Sequence, residues 1–337
     1  MKALVLESPG KVSLKEVPIP EPKENEALVK IKAVSVCGSD ISAYRGHGVA
    51  VPYPLVLGHE ISGIIEKIND ETSDLKVGDR VIFSPYLYCG HCYPCSLGRT
   101  NCCESLKVLG VQTNGAMSEY FAHPAHLLYK VPDDMPWEHV PIIEPLVIAL
   151  HGIHTAKVKA GEHVAIIGAG PIGLLAAMVI LQYDAIPIVI DIIPERLELA
   201  RSLNVKHTIN SQTEDAVARI AEITNGRMAE AVLEMSGSHH GIQNSLYYAS
   251  YCGRISFTGW PTGETSLNTS LITKKELSVQ GARTGTDEFI EAIELISTGK
   301  VNVNAIISKV VPFDALPEAL RNQSEYPESY LKVVSIL

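Results

Sequence analysis

Glycines 168, 170 and 173 stand in HVAIIGAGPIGLLAAMVIL, between a strand-like β-branched segment and a helix-like apolar one. A G-x-G-x-x-G run in that setting calls for a parallel βαβ unit. The first glycine makes the tight turn, the second lets backbone approach a pyrophosphate, and the third lets helix pack on strand. A helix opening at Pro171 and Ile172 then offers unpaired N–H groups and its positive dipole end to phosphates. Asp191 closes IPIVID eighteen residues after Gly173. A carboxylate there accepts both ribose hydroxyls of NAD and repels the 2′-phosphate of NADP, although Arg196 lies near enough to leave NADP open.

The same alternation repeats downstream. PERLELARSL, with Pro194 suited to a first helical position, is followed by HTIN, a helix near TEDAVARIAEIT, AEAVLEMSG, a helix near GIQNSLYYAS, and GRISFTG. Such a series predicts a parallel sheet covered by helices on both faces. The first third reads differently. LVKIKAV, EISGIIEKI and DRVIFSP carry β-branched residues between Pro and Gly breaks, which predicts short strands. After Arg283 come helices at 286–298 and 314–322 and a terminal strand at 330–337, expected to pack back on the first domain.

A chain of 337 residues suits two domains, each with its own core, so disulfides are not needed for stability. The start, MKALVLESPGKVSLKEVP, lacks an apolar targeting stretch, and the density of thiols points to a reducing compartment, so a cytoplasmic location is expected. Residues 164–183 are uncharged and long enough to span a bilayer, but glycines and Pro171 break their first half and basic flanks are missing. No membrane association is expected. A net charge of −10 with scattered basic residues argues against a nucleic-acid surface and for a small-molecule partner.

CGHCYPCSLGRTNCC, residues 89 to 103, holds five of the seven cysteines. Cys89, Cys92, Cys95 and Cys103 have the spacing C-x2-C-x2-C-x7-C, and four thiolates close a tetrahedral shell around zinc with no position for substrate. Such a site holds a loop together. The bacterial iron–sulfur run also opens C-x2-C-x2-C but closes three residues later with Cys-Pro, which is missing here. Spacing alone does not choose between Cys102 and Cys103. A dispersed second set, Cys37 in VCGSD, His59 and Glu60 in GHE, and Glu144 in IIEPL, offers mixed S, N and O donors of the kind that leave a zinc coordination position open.

Together these residues resemble the medium-chain, zinc-dependent alcohol and polyol dehydrogenase family. VCGSD, VLGHEISG, the cysteine loop, GAGPIG and the Glu-Pro fall in its order and spacing over almost the whole chain. The resemblance implies an α/β protein: a GroES-like, β-rich catalytic domain from 1–147 and 283–337, with a Rossmann NAD-binding domain of doubly wound parallel sheet, 148–282, inserted. It implies two zinc ions per chain. Cys37, His59 and Glu144 belong to the catalytic shell, with Glu60 binding directly or by exchange, and Cys103 completes the structural site. Ser39 matches the hydroxyl that takes the alcohol proton, and Asp40 the acid behind the ligands.

Glutamate at 144 resembles the sorbitol and threonine dehydrogenase branch, and GRTNCCE and IIEPLVIALHG are similar to L-galactonate and L-gulonate dehydrogenases. The activity implied is oxidation of a secondary alcohol of a polyol or sugar acid with NAD. L-threonine 3-dehydrogenase is the nearest rival, and a non-catalytic zinc protein of the same fold is a rival of another class. A homodimer or homotetramer is expected. One departure concerns proton release: many relatives carry histidine five residues after the zinc cysteine, where this chain has Ser42, with His47 as a substitute. Arg283 in QGARTGTDEF is expected to hold the substrate's carboxylate or paired hydroxyls through its guanidinium fork, against a bland role in a surface ion pair.

Overall fold

Period-two patterning builds the N-terminal strands: along Glu26–Ser35 the buried side chains fall largely on alternate positions until the strand enters the core. The computed structural model describes residues 1–47, 51–285 and 287–337. It divides into two units, Met1–Glu144 with Phe289–Ser297 and Ile306–Leu337, and Pro145–Glu288 with Thr298–Ala305. The boundaries expected from the sequence lay at 147 and 283. By this division Arg283 belongs to the second unit, and Thr298–Ala305 rejoins it after the chain has returned to the first.

In the first unit the strands are β1 (Lys2–Ser8), β2 (Lys11–Glu16), β3 (Glu26–Ser35), β4 (Leu55–Val56), β5 (Glu60–Ile68), β6 (Arg80–Phe83), β7 (Tyr86–Leu87), β8 (Lys107–Val108), β9 (Tyr120–Pro124) and β10 (Leu128–Lys130). Helix α1 (Gly38–Tyr44) follows β3 and α2 (Tyr93–Ser96) lies within the cysteine loop. Helix α3 (Ile143–Thr155) begins at the boundary.

The second unit alternates strand and helix as the sequence predicts: β11 (His163–Ile167), α4 (Pro171–Gln182), β12 (Ile186–Asp191), α5 (Pro194–Ser202), β13 (His207–Asn210), α6 (Ala216–Ile223), β14 (Ala229–Glu234), α7 (His239–Tyr248), β15 (Ala249–Phe257), α8 (Thr269–Lys275) and β16 (Ser278–Gly281). The chain returns through α9 (Phe289–Ser297), β17 (Ile307–Pro312), α10 (Leu316–Glu325) and β18 (Lys332–Ile336). The expected start of α9 at Thr286 lies outside the described residues.

Two sheets position the chemistry. In the first unit the order is β10-β6-β5-β3-β18-β17, with β9 also on β3. Its terminal strand β18 runs antiparallel to β3, pairing Val334 with Ser35, so the C-terminal end of the chain is part of the N-terminal sheet. In the second unit all pairs are parallel, in the order β13-β12-β11-β14-β15-β16. This is the doubly wound arrangement, in which the order reverses between β11 and β14 and ligands bind at the strands' carboxyl ends. Val164, Ala165 and Ile166 of β11 are fully buried, as a strand covered on both faces requires. The apolar segment at 164–183 resolves into β11 and the twelve-residue α4, and no helix among the described residues is long and apolar enough to cross a membrane.

Candidate active site

Three adjacent strands bring one constellation together. Cys37 caps α1 just after β3, and Asp40 accepts its N–H at 2.8 Å. Glu60 opens β5, with His59 directly before it, and Ser35 pairs in register with Glu60. Gly58 adopts φ +100 directly before them, and a Cβ there would lie 2.4 Å from Met117 Cγ, so only glycine fits this turn. Cys37, His59 and Glu60 place a sulfur, a ring nitrogen and a carboxylate oxygen within 4.8 Å of one another. A thiolate, an imidazole and a carboxylate with a fourth position left over suit an open zinc site. Ser39 Oγ lies 3.4 Å from His59 Nε2.

Two orphans support the fit. His59 Nδ1 and Asp40 Oδ1 are buried without a hydrogen-bond partner, as expected where a ring nitrogen and the acid behind it await a metal to fix their orientation. Burial by itself lowers the affinity of His59 for a proton, but the Cys37 sulfur, Asp40 and Glu144 together raise it well above the usual imidazole range. The pocket therefore favours a cation.

Glu60 is held in a way the sequence did not foretell. Lys332, 3% exposed, donates to both its carboxylate oxygens at 2.6 and 2.8 Å, and Ser35 Oγ donates to Oε2. The register explains this: Glu60, Ser35 and Val334 form one row across β5, β3 and β18, and Lys332 lies on the same face two residues before Val334. Burial would raise the Glu60 carboxyl, yet the Lys332 ammonium and His59 hold it below the usual carboxylate range. A single lysine within the apolar run YLKVVSIL was the available signal.

Glu144 does not join the trio. It sits in the first turn of α3 and accepts a hydrogen bond from Tyr86, another residue that the sequence reading passed over. Burial pushes its carboxyl up to about 7, with Glu60 adding to the rise and His59 opposing it. The Tyr86 hydroxyl, raised well above its ordinary value first by burial and then by Glu144, stays protonated and remains a donor. Of the expected shell, then, Cys37, His59 and Glu60 converge, while Glu144 is tied to Tyr86. Ser42 is exposed on α1 and His47 is exposed beyond it, joined to Ser42 only through the backbone at 2.9 Å.

In the cysteine loop, the Sγ atoms of Cys89, Cys92, Cys95 and Cys103 also lie within 4.8 Å of one another. Cys103 is 1% exposed and Cys102 stands outside the group. Backbone N–H groups point at the sulfurs, Cys89 N at Cys103 Sγ (3.3 Å) and Cys92 N at Cys89 Sγ (3.4 Å), as thiolate charge requires.

The phosphate turn has the geometry its glycines predict. Gly168 adopts φ +102, and a Cβ on Gly173 would lie 1.8 Å from Gly168 O. A Cβ on Gly170 would meet no atom within 4 Å, so this glycine answers to no protein neighbour and leaves backbone open to a ligand. Pro171 and Ile172 open α4 behind the Gly170 cap. Asp191, 8% exposed, accepts from Ala169 N at 2.6 Å and from Ile192 N and Ile193 N at 2.7 and 2.9 Å, with Arg196 4.0 Å away. It braces the turn besides marking where a ribose would sit. Arg283, half-buried, follows β16 and precedes Thr284, a β-branched residue at φ +52.

A glycine phosphate turn on a doubly wound sheet, in one chain with an open Cys/His/Glu site and a closed four-cysteine site, defines a metal- and dinucleotide-using oxidoreductase. Comparison with known proteins agrees. Residues 23–133 match the alcohol dehydrogenase GroES-like domain and residues 171–298 the zinc-binding dehydrogenase domain. The chain is 52% identical to an uncharacterised zinc-type alcohol dehydrogenase-like protein of Haemophilus influenzae, over all of this chain and 98% of that one. It is 34% identical to L-galactonate-5-dehydrogenase of Escherichia coli, over 94% of each. An Escherichia coli alcohol dehydrogenase solved with NADH superposes with a TM-score of 0.93 at 32% identity, over all of this chain and 99% of that one. The chain belongs to the zinc-type medium-chain alcohol and polyol dehydrogenase family, and it is a nicotinamide-dependent oxidoreductase of that class.

Proposed function

We propose that the protein oxidises a secondary alcohol of a sugar acid or polyol with NAD, giving the keto product, as a cytoplasmic homo-oligomer with two zinc ions per chain. The observation that carries this reading is the Cys37, His59 and Glu60 trio, half-buried at the cysteine and buried at the other two, with its ligand atoms within 4.8 Å of one another. Cys37, His59 and a carboxylate would hold zinc there, and the metal would supply the charge that lowers the pKa of a substrate hydroxyl. The chain's own residues do the rest. Ser39 Oγ takes the alcohol proton and passes it outward; Asp40, which accepts from Cys37 N, is the acid behind the ligands; Glu144, which accepts from Tyr86, is the carboxylate proposed to complete the shell, with Glu60 binding directly or by exchange. The Gly168–Gly173 turn and Asp191 orient the dinucleotide, and Asp191 favours NAD over NADP. The four cysteines Cys89, Cys92, Cys95 and Cys103 would hold a second, closed zinc that ties their loop together.

The substrate class rests on likeness. Among the relatives are an L-galactonate-5-dehydrogenase and, at 29% identity over 99% of this chain, a sorbitol dehydrogenase of Bacillus subtilis. Arg283 is the residue proposed to meet a carboxylate on the substrate. The test is NADH formation by zinc-replete protein with L-galactonate, L-gulonate, sorbitol and L-threonine, each with NAD and with NADP. An aldonate should turn over best and NAD should be preferred. Arg283→Ala should lower kcat/KM on that aldonate roughly 10- to 150-fold, the worth of a charged hydrogen bond, and less on the matching polyol. Threonine as best substrate moves the assignment to threonine dehydrogenase, and no turnover on any of the four overturns the proposed substrate class.

A further inference from the structure

Three loops are stacked along the carboxyl edge of the second unit's sheet. Ile167, Glu234 and Phe257 lie in one register row at the ends of β11, β14 and β15, so the loops leave from a common line. They then touch in sequence. A Cβ on Gly168 would lie 3.1 to 3.2 Å from Ser236; one on Gly237 would lie 2.7 Å from Trp260 O; one on Gly259 would lie 2.2 Å from Gly237 N. Beneath them the Glu234 carboxylate, 0% exposed, accepts from Ser236 N at 3.0 Å and Gly237 N at 3.2 Å, and from Ser236 Oγ. Backbone packed this closely fixes the start of the third loop, and from it the Trp260 indole projects 70% exposed.

Asp191 ends β12 on the other side of β11. A dinucleotide with its first ribose at Asp191 and its pyrophosphate at the Gly168–Gly173 turn extends its second mononucleotide over β14 and β15. We propose that Trp260 is a specificity-determining wall of the nicotinamide subsite, its indole lying against the nicotinamide ring. This rests on the cofactor reading above. An indole is rigid, electron-rich and costs little ordering entropy, and the oxidised nicotinamide is a planar cation, a pairing that favours stacking.

The chain has two tryptophans, and Trp137 lies in the first unit with the Arg80 guanidinium 3.9 Å over its ring. Titration of the whole protein with NAD and with ADP-ribose, which lacks nicotinamide, separates the possibilities. NAD should quench tryptophan emission by contact in the unmodified chain, ADP-ribose should not, and Trp260→Phe should abolish the quench. Trp260→Ala should weaken NAD binding about five- to tenfold and leave ADP-ribose binding unchanged, with Trp260→Phe restoring affinity to within about twofold. Equal weakening of both ligands, or a quench that survives Trp260→Phe, overturns the proposal while the cofactor reading stands. So does emission that changes with protein concentration in the absence of dinucleotide, which would make Trp260 a contact between copies. Failure of both ligands to bind removes the cofactor reading and this inference together.

Discussion

Lys332 is the residue on which the open site most depends without being a ligand. Its ammonium and the Glu60 carboxylate are both almost fully buried, 3% and 0% exposed. Removing one partner of a buried pair strands the other charge, at a typical cost of about 3–5 kcal/mol. Lys332→Met should therefore destabilise chelator-treated protein by about that much in denaturant titration. The zinc-replete form should lose distinctly less, because the metal then faces the Glu60 charge. Equal losses with and without zinc would mean that Glu60 serves the fold and not the metal. Asp191 teaches a related lesson: much of its carboxylate is spent on three backbone N–H groups, so its replacement loosens the phosphate turn as well as the ribose contact.

At the scale of elements, the packing of β9, which pairs with β3, against the end of β6 illustrates how buried strands import pH sensitivity. His123 of β9 is 1% exposed, packs at 5.1 Å centroid distance against Phe83 of β6, and donates from Nε2 to Ser84 O at 2.9 Å. Burial outweighs that bond and lowers its pKa from 6.5 to about 4. The folded state thus holds it neutral while the unfolded chain takes up a proton below pH 6.5. The sign follows: stability is full above 6.5 and falls as the pH drops toward 4, by at most about 3.5 kcal/mol at 1.4 kcal/mol per unit. His123→Gln, which keeps a donor for Ser84, should flatten the dependence of the denaturation midpoint on pH across this window. An unchanged slope would assign the acid sensitivity to other groups.

The whole molecule is expected to contain two metal sites of opposite character. Metal analysis should give two zinc ions per chain, and a chelator should remove the ion at Cys37, His59 and Glu60 first, since its shell is open. Cys37→Ser should abolish turnover in a folded protein, whereas Cys89→Ser should lower thermal stability and solubility. One metal per chain in fully active protein would contradict this. What the sequence determined by itself was the set of features whose physics is local. A phosphate turn requires glycines at fixed offsets, a closed thiolate shell requires cysteines a few residues apart, and a strand or helix declares its period within ten residues. From these came the parallel βαβ series, Gly168 to Gly173, Asp191 and a four-cysteine site whose fourth member, Cys103 and not Cys102, the spacing left open. The family resemblance already put Cys37, His59 and Glu60 in one shell; only the tertiary structure decided which other distant groups join them. Lys332 reaches Glu60 across 272 residues because β18 pairs with β3 in one register and not the next. Tyr86 takes Glu144, and Trp260 gains its place from loops stacked over Glu234. Each of these depends on how sheets align over long separations, and a one-residue slip in pairing would turn every such side chain to the opposite face.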